Sequence, residues 1–235
     1  MSFAFEPIGW ISSCFQEKFG IPRQPGLVPE ACACLEIIPP YDQREAFRGL
    51  ESFSHLWILF VFHECYGLAW KATVRPPRLG GNRRVGVFAS RSGFRPNPIG
   101  QSVVRLLSIE RKKGRLLLTL GGIDLLNATP VLDIKPYLPY ADAIPDATAG
   151  YAPEAPAPKP VVFSDQAEQA CRQADPTAYP NLRTLIIGLL AQDPRPAYKH
   201  SNAEKHFGMH LWDLNVRFWA DGDQIVVEHI GPAVK

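Results

Sequence analysis

The sequence predicts a mainly β protein: a barrel or sharply curved sheet, then a small α+β domain. Of its 235 residues 23 are proline, about twice the usual share. An interior proline costs a helix about 3 kcal/mol, which argues against a helix bundle. Short apolar runs punctuated by Pro and Gly recur through the N-terminal part, the pattern of a barrel. No strand–helix–strand rhythm accompanies them, which argues against a doubly wound parallel sheet. With 46% hydrophobic and 20% charged residues, the chain is globular rather than disordered and long enough for one large or two modest domains.

Taken in order, Phe5–Ile11 and Leu35–Ile38 read as strands, and Asp42–Phe47 as a helical turn capped by Asp42. The unbroken apolar run Leu56–Phe62 suits a strand buried on both faces. Val85–Ala89, Ser102–Glu110, Leu116–Leu120 and Thr129–Ile134 are strand-like, with Gly114 as a hairpin turn. Seven prolines between Pro136 and Pro160 end in a stiff, extended linker. Beyond it, Val161–Phe163 is a short strand, Ser164 caps a helix to about Ala174, and Leu182–Ala191 is a second helix. Gly208–Trp219 and Ile225–Ile230 are strands joined at Ala220–Asp223. The expected organisation is a barrel over 1–145, a linker over 146–160, and a domain of three strands and two helices over 161–235.

The longest apolar runs fall far short of the roughly 20 residues that a membrane-spanning helix needs. The first residues lack the basic and apolar regions of a secretory leader. Five cysteines without repeating spacing suit free thiols in a cytoplasmic protein. His206 and His210 are four apart, but Gly208 and a strand-like context spoil a helical metal pair. No metal site is expected. The eighteen glycines include no G-x-G, and there is no Walker A loop or G-x-S-x-G elbow, which removes the Rossmann fingerprint and the commonest nucleotide and hydrolase motifs.

The formal charge of +2 hides an asymmetry. From Cys65 to Ile109 there are eight basic residues, seven of them Arg, and no acid. Arginine forks suit carboxylates and phosphates, so the window points to an anionic ligand or polyanion. Within it, Gly86–Gly100 contains Arg95-Pro96-Asn97-Pro98. Residues before proline are pushed to extended backbone, so this loop is expected to present Arg91, Ser92, Arg95 and Asn97 from a frame stiffened by covalent geometry. Pro22–Gly26 and Val74–Asn82 are loops of the same kind, and His63-Glu64 closes the Leu56–Phe62 run, where a barrel mouth is expected. Asp133 and Lys135 are two apart, on one face of a strand, as an ion pair or a proton-handling pair.

Pro22–Val28, Phe53–His63, Val74–Asn82, Gly86–Gly100 and Asp124–Tyr137 together resemble the bacterial tRNA N6-threonylcarbamoyladenosine methyltransferase family, the TsaA-like proteins. Leu190–Tyr198 and His210–Arg217 resemble its longer members. The resemblance implies a single-sheeted β-barrel that uses S-adenosylmethionine without a Rossmann fold. It further implies methylation of N6 of threonylcarbamoyladenosine at tRNA position 37 by a homodimer. Carried over by motif, cofactor contacts fall on Arg23, Gln24, Pro25, His63, Glu64, Arg91, Gln101, Ile123, Asp124, Leu125 and Leu126. Asp133 and Tyr137 are the candidates for assisting proton loss from N6, and Arg75, Arg95, Asn97 and Lys135 for holding substrate. Arg195, Lys199, His200, Lys205 and His206 are expected to form a tRNA-gripping patch. The family reads Asp-Gly-Thr-Pro where this chain has Asn127-Ala128-Thr129-Pro130, so Asn127 is expected to supply the left-handed residue in place of glycine. The competing reading is a non-catalytic RNA-binding module, whose basic window grips phosphates while aromatic residues stack on bases. A hydrolase using His63 and Glu64 lacks a nucleophile motif.

Overall fold

The computed structural model describes residues 3–195 and 206–233. A closed antiparallel barrel is built from β1 (Gly9–Ser13), β2 (Cys32–Ile37), β3 (His55–Val61), and three strands that follow a pair of short ones. The short pair, β4 (Thr73–Val74) and β5 (Val85–Gly86), forms a separate two-residue ribbon. The barrel resumes with β6 (Ile99–Lys112), β7 (Arg115–Gly121) and β8 (Pro130–Pro136), in the order β1-β2-β7-β6-β3-β8, and closes through Gly9 opposite Val131. Alternate side chains fill it: Ile11, Leu35, Ile37, Leu56, Ile58, Phe60, Leu118, Leu120 and Val131 are buried, as the two-residue period of a strand requires.

The strand β3 is buried on one face only; Trp57, Leu59 and Val61 on its outer face remain partly open. A continuous apolar run here marks a barrel strand with a half-buried exterior patch, not a strand sandwiched between layers. The β6–β7 hairpin turns at Lys113 and Gly114, both at positive φ (50° and 81°), the geometry that a two-residue hairpin favours. The turn expected over Asp42–Phe47 is a 3-10 turn at Arg44–Phe47 with no side-chain cap, because Asp42 instead receives Arg111. Of Val85–Ala89 only the first two residues are strand, and the rest is a 3-10 turn.

A short helix, α1 (Pro139–Asp142), follows the barrel, and no strand or helix intervenes before β9 (Val161–Phe163). Next come α2 (Asp165–Gln173) and α3 (Leu182–Ala191), and then β10 (Phe207–Leu211), β11 (Leu214–Asp221) and β12 (Gln224–Pro232) in a sheet ordered β10-β11-β12-β9. Ser164 caps α2 by accepting from the Ala167 amide at 3.1 Å. The sheet has four strands rather than three. The expected strand Gly208–Trp219 breaks at Trp212-Asp213, where Trp212 takes φ 52°, and its amide bonds the Cys14 carbonyl at 2.7 Å.

That bond is one of several between the barrel and the C-terminal sheet. Phe15 bridges Leu211, and Phe19 stacks against Phe207 and Phe218 with centroids 6.3 and 6.2 Å apart. Residue 188 on α3 lies against Val28, so closely that a Cβ there would come within 2.7 Å of the Val28 side chain. The two units share one hydrophobic core, and the segment after β1 is gripped by the C-terminal unit.

Ala128, not Asn127, is the left-handed residue before β8, with φ 59°. Asn127 is committed elsewhere: its amide bonds the Phe15 carbonyl at 2.8 Å, and its side-chain oxygen receives the Ser13 amide at 3.1 Å. An alanine in this region carries roughly 1 kcal/mol of strain. Ala128→Gly is therefore expected to raise stability by about 0.5 kcal/mol, net of the extra freedom glycine gives the unfolded chain. A denaturant midpoint that falls in this variant would refute the strain.

Candidate functional site

The ends of β1, β3 and β7 and the starts of β2, β6 and β8 meet at one end of the barrel. A cavity of about 610 Å³ opens there, within the range of small-molecule sites. Five separate segments line it. Lys18 and residues 21–24 come from the β1–β2 loop, and Leu59 to Cys65 from the end of β3 and the 3-10 turn His63–Cys65. Ser90 to Arg95 come from the Pro-locked loop, Ile99 to Ser102 from the start of β6, and Asp124 to Leu126 from the turn after β7.

The loop 86–100 is held by more than its prolines. Ser90 Oγ donates to the Val87 carbonyl at 2.9 Å and accepts from the Ser92 amide at 3.3 Å; Ser92 Oγ accepts from the Phe94 amide at 3.3 Å. Serine side chains thus supply the ladder that the prolines cannot. At residue 100 a Cβ would stand 2.3 Å from the Phe60 ring, so only glycine lets that ring form the floor. Phe60 and Phe62 meet edge to face, 5.0 Å between centroids.

The walls carry both signs of charge. Arg91 donates to the Gln24 side-chain oxygen, which joins two of the loops that the sequence singled out. Lys18 and Glu64 pair at 2.9 Å; the pair is exposed, so it orients Glu64 more than it stabilises the fold. Asp124 accepts a 2.6 Å hydrogen bond from Ser102 Oγ. Burial pushes its carboxyl up to about 6, against the lowering effect of Ser102, its own backbone and Arg91. Arg23 Nη2 donates at 3.3 Å to the carbonyl of Asp193, just beyond α3, so the C-terminal unit holds a cavity residue in place.

Comparison with known proteins gives this cavity a context. The family model for the tRNA-methyltransferase O N-terminal domain matches residues 10–143, and that for the TrmO C-terminal domain matches residues 156–233. The chain belongs to the tRNA-methyltransferase O family. It is 53% identical over 219 residues to the tRNA (adenine(37)-N6)-methyltransferase of Escherichia coli, covering 92% of this chain and 93% of that one. It is 52% identical over 218 residues to a Pseudomonas aeruginosa protein named a putative S-adenosylmethionine-dependent methyltransferase, with 93% of each covered. The crystal structure of TrmO from Pseudomonas aeruginosa superposes with a TM-score of 0.78 at 45% identity, covering 98% of this chain and 99% of that one.

Against this tRNA-methyltransferase O fold, the expected site residues divide into three groups. Arg23, Gln24, His63, Glu64, Arg91, Gln101, Asp124, Leu125 and Leu126 all line the cavity. Pro25 and Ile123 do not. Ile123 is fully buried in the core, and Pro25 precedes Gly26, whose amide anchors the loop to the Gly122 carbonyl at 2.8 Å. Arg95 lines the cavity, and its Nη1 donates to the Val87 and Ser90 carbonyls at 3.1 and 2.8 Å, which braces the loop. Arg75 lines a second groove, and Asn97 is exposed beyond both.

Asp133, Lys135 and Tyr137 are not among the residues that line the cavity. The register of β3 and β8 shifts between Leu59 and Phe60, and this bulge turns Asp133 and Lys135 to the outer face, opposite Leu59 and Trp57. There Lys135 and Asp133 pair at 2.5 Å, and Tyr137 packs its ring 6.0 Å from Trp57. The C-terminal basic patch is also changed: Arg195 is buried and forks onto Asp193, and His206 lies 3.1 Å from Glu228. Lys199, His200 and Lys205 fall outside the described residues. Sequence reasoning missed Lys18, Phe60, Phe62 and Ser102; the paired phenylalanines at the end of the Leu56–Phe62 run were the available signal. Among the described residues no cluster of His, Cys, Asp or Glu could hold a metal ion, and no helix is long and apolar enough to cross a membrane.

Proposed function

We propose that this protein is an S-adenosylmethionine-dependent tRNA methyltransferase acting on N6 of adenine 37, and that the adenine it takes carries the threonylcarbamoyl group. One observation carries the reading: five segments far apart in sequence, two of them from proline-bracketed loops, converge on a single cavity with both signs of charge. The family membership and the names of the relatives support it.

The donor set fits the cofactor. Arg91 and Arg23 are available for an amino-acid carboxylate, while Glu64 and Asp124 face cationic or hydroxyl groups. Leu59, Phe62 and Ile99 offer apolar surface for a purine. S-adenosylmethionine, when bound, supplies a methyl group activated by its sulfonium. The chain's own residues bind and orient, and holding both reactants in line removes much of the barrier. With Asp133 and Tyr137 outside the cavity, orientation rather than a general base is the protein's chief contribution.

An RNA-binding module without catalysis would have no use for a cavity roofed by two proline-locked loops. The reading extends to a cytoplasmic homodimer, which the family resemblance implies. Labelled methyl transfer to tRNA from a strain lacking the enzyme tests the function. Arg91→Ala is expected to weaken cofactor binding by calorimetry at least tenfold, about 1.4 kcal/mol. Affinity equal to the parent would remove Arg91 from the site.

A further inference from the structure

A second groove, of about 290 Å³, adjoins the cavity. Ser92 and Phe94 line both, so the two hollows share a wall. Its remaining lining is Lys71, Thr73, Val74, Arg75 and Arg84, on and beside the ribbon of β4 and β5. Three cations thus ring a space with no acid in it, inside a stretch of chain that has none from Cys65 to Ile109.

Two of the cations are held in position. Arg84 Nη1 donates to Thr73 Oγ1 across the ribbon at 3.0 Å, and the Lys71 ammonium sits 4.0 Å above the Phe94 ring. Phe94 is therefore both the shared wall and the platform for a cation. The ribbon is tied to the loop that forms this wall, because the Lys71 amide bonds the Phe94 carbonyl at 3.1 Å. Like charges gathered this closely repel one another, and an external anion relieves that repulsion.

We infer that this groove is a substrate subsite for an anion carried by the RNA near the reacting nitrogen. The inference rests on the methyltransferase reading, which puts the reacting base in the cavity that shares the Ser92–Phe94 wall with this groove. Two anions of the substrate share the chemistry: a carboxylate on the modified base and a backbone phosphate beside it. Arginine binds either through its fork, and Lys71 adds a point charge.

The test compares the parent with Arg75→Gln, Arg84→Gln and the double variant. Each is assayed on tRNA bearing threonylcarbamoyladenosine and on the same tRNA with that carboxylate converted to an amide, at several salt concentrations. Cofactor affinity is followed by calorimetry and is expected to stay at the parental value. A tenfold or larger loss of kcat/KM on the carboxylate tRNA, with no further loss on the amide, assigns the subsite to the carboxylate. An equal loss on both, with a salt slope reduced by about one for each arginine removed, assigns it to phosphate. Unchanged kcat/KM and salt slope in the double variant would overturn the subsite. So would a fall in cofactor affinity matching the fall in activity. A parent enzyme that methylates neither tRNA would instead bring down the functional reading itself.

Discussion

Asp193→Ala is expected to cost about 3 kcal/mol of stability and to weaken cofactor binding in the same variant. Asp193 follows α3 with φ 45°, a backbone state that a non-glycine residue enters only when its surroundings hold it there. Its carboxylate receives Arg195 Nε at 2.7 Å and Nη2 at 2.9 Å, and Lys159 lies 3.2 Å away. Arg195 is only 1% exposed. Removing the carboxylate strips a buried guanidinium of a bidentate partner, which is far more damaging than never having had the pair. The carbonyl of the same residue accepts from Arg23 in the cavity, so a shift in the backbone there reaches the proposed cofactor site. A chain of this length should lose roughly 6–12 °C in melting temperature. An unchanged melting temperature would show that Arg195 is held by other means.

Asp124→Asn should make stability less dependent on pH. The carboxyl titrates near 6 in the folded protein, against 3.8 for an unperturbed group. Between those values the folded state holds the proton more tightly than the unfolded state, so this group's contribution to stability falls as pH rises through the window. Above about pH 6 the ionised carboxylate weighs against the fold by about 2 kcal/mol, after allowance for water in the cavity. The asparagine variant is expected to match the parent near pH 4 and to be more stable at pH 8. The parent's affinity for a cationic ligand should climb as pH passes 6, and the variant should lose that climb. Equal urea midpoints at pH 8 would contradict the burial of this charge. A site residue that destabilises the resting protein is what a binding cavity predicts, because the compensating charge arrives with the ligand.

Much of this arrangement is legible in the residues. Pro22-Arg23-Gln24 and Arg91 announce themselves because proline fixes backbone shape locally, His63-Glu64 because it closes an apolar run, and the cavity gathers all three. The Ser164 cap and the turn at Gly114 rest on equally local rules. The hidden parts are those where distant chain decides. Trp212 carries no turn signal, yet the Cys14 carbonyl holds its amide in a hairpin. Asp133, Lys135 and Tyr137 are well spaced for one face, but a bulge against β3 selects the outer one; a slip of one residue reverses the face of a strand, and periodicity alone does not reveal it. Arg95 looks like Arg91 in sequence and differs only in the carbonyls it reaches.

The bond from Arg23 to the Asp193 carbonyl joins residues 170 positions apart, and that separation has a consequence during synthesis. At roughly 5–20 residues per second, on the order of 10–30 s pass between the two leaving the ribosome. The last barrel strand ends at Pro136, well before Asp193 is made. A nascent chain therefore has all the strands of its barrel while Arg23 still lacks its anchor. The cavity wall at Arg23 is thus completed only when the far end of the polypeptide has been delivered.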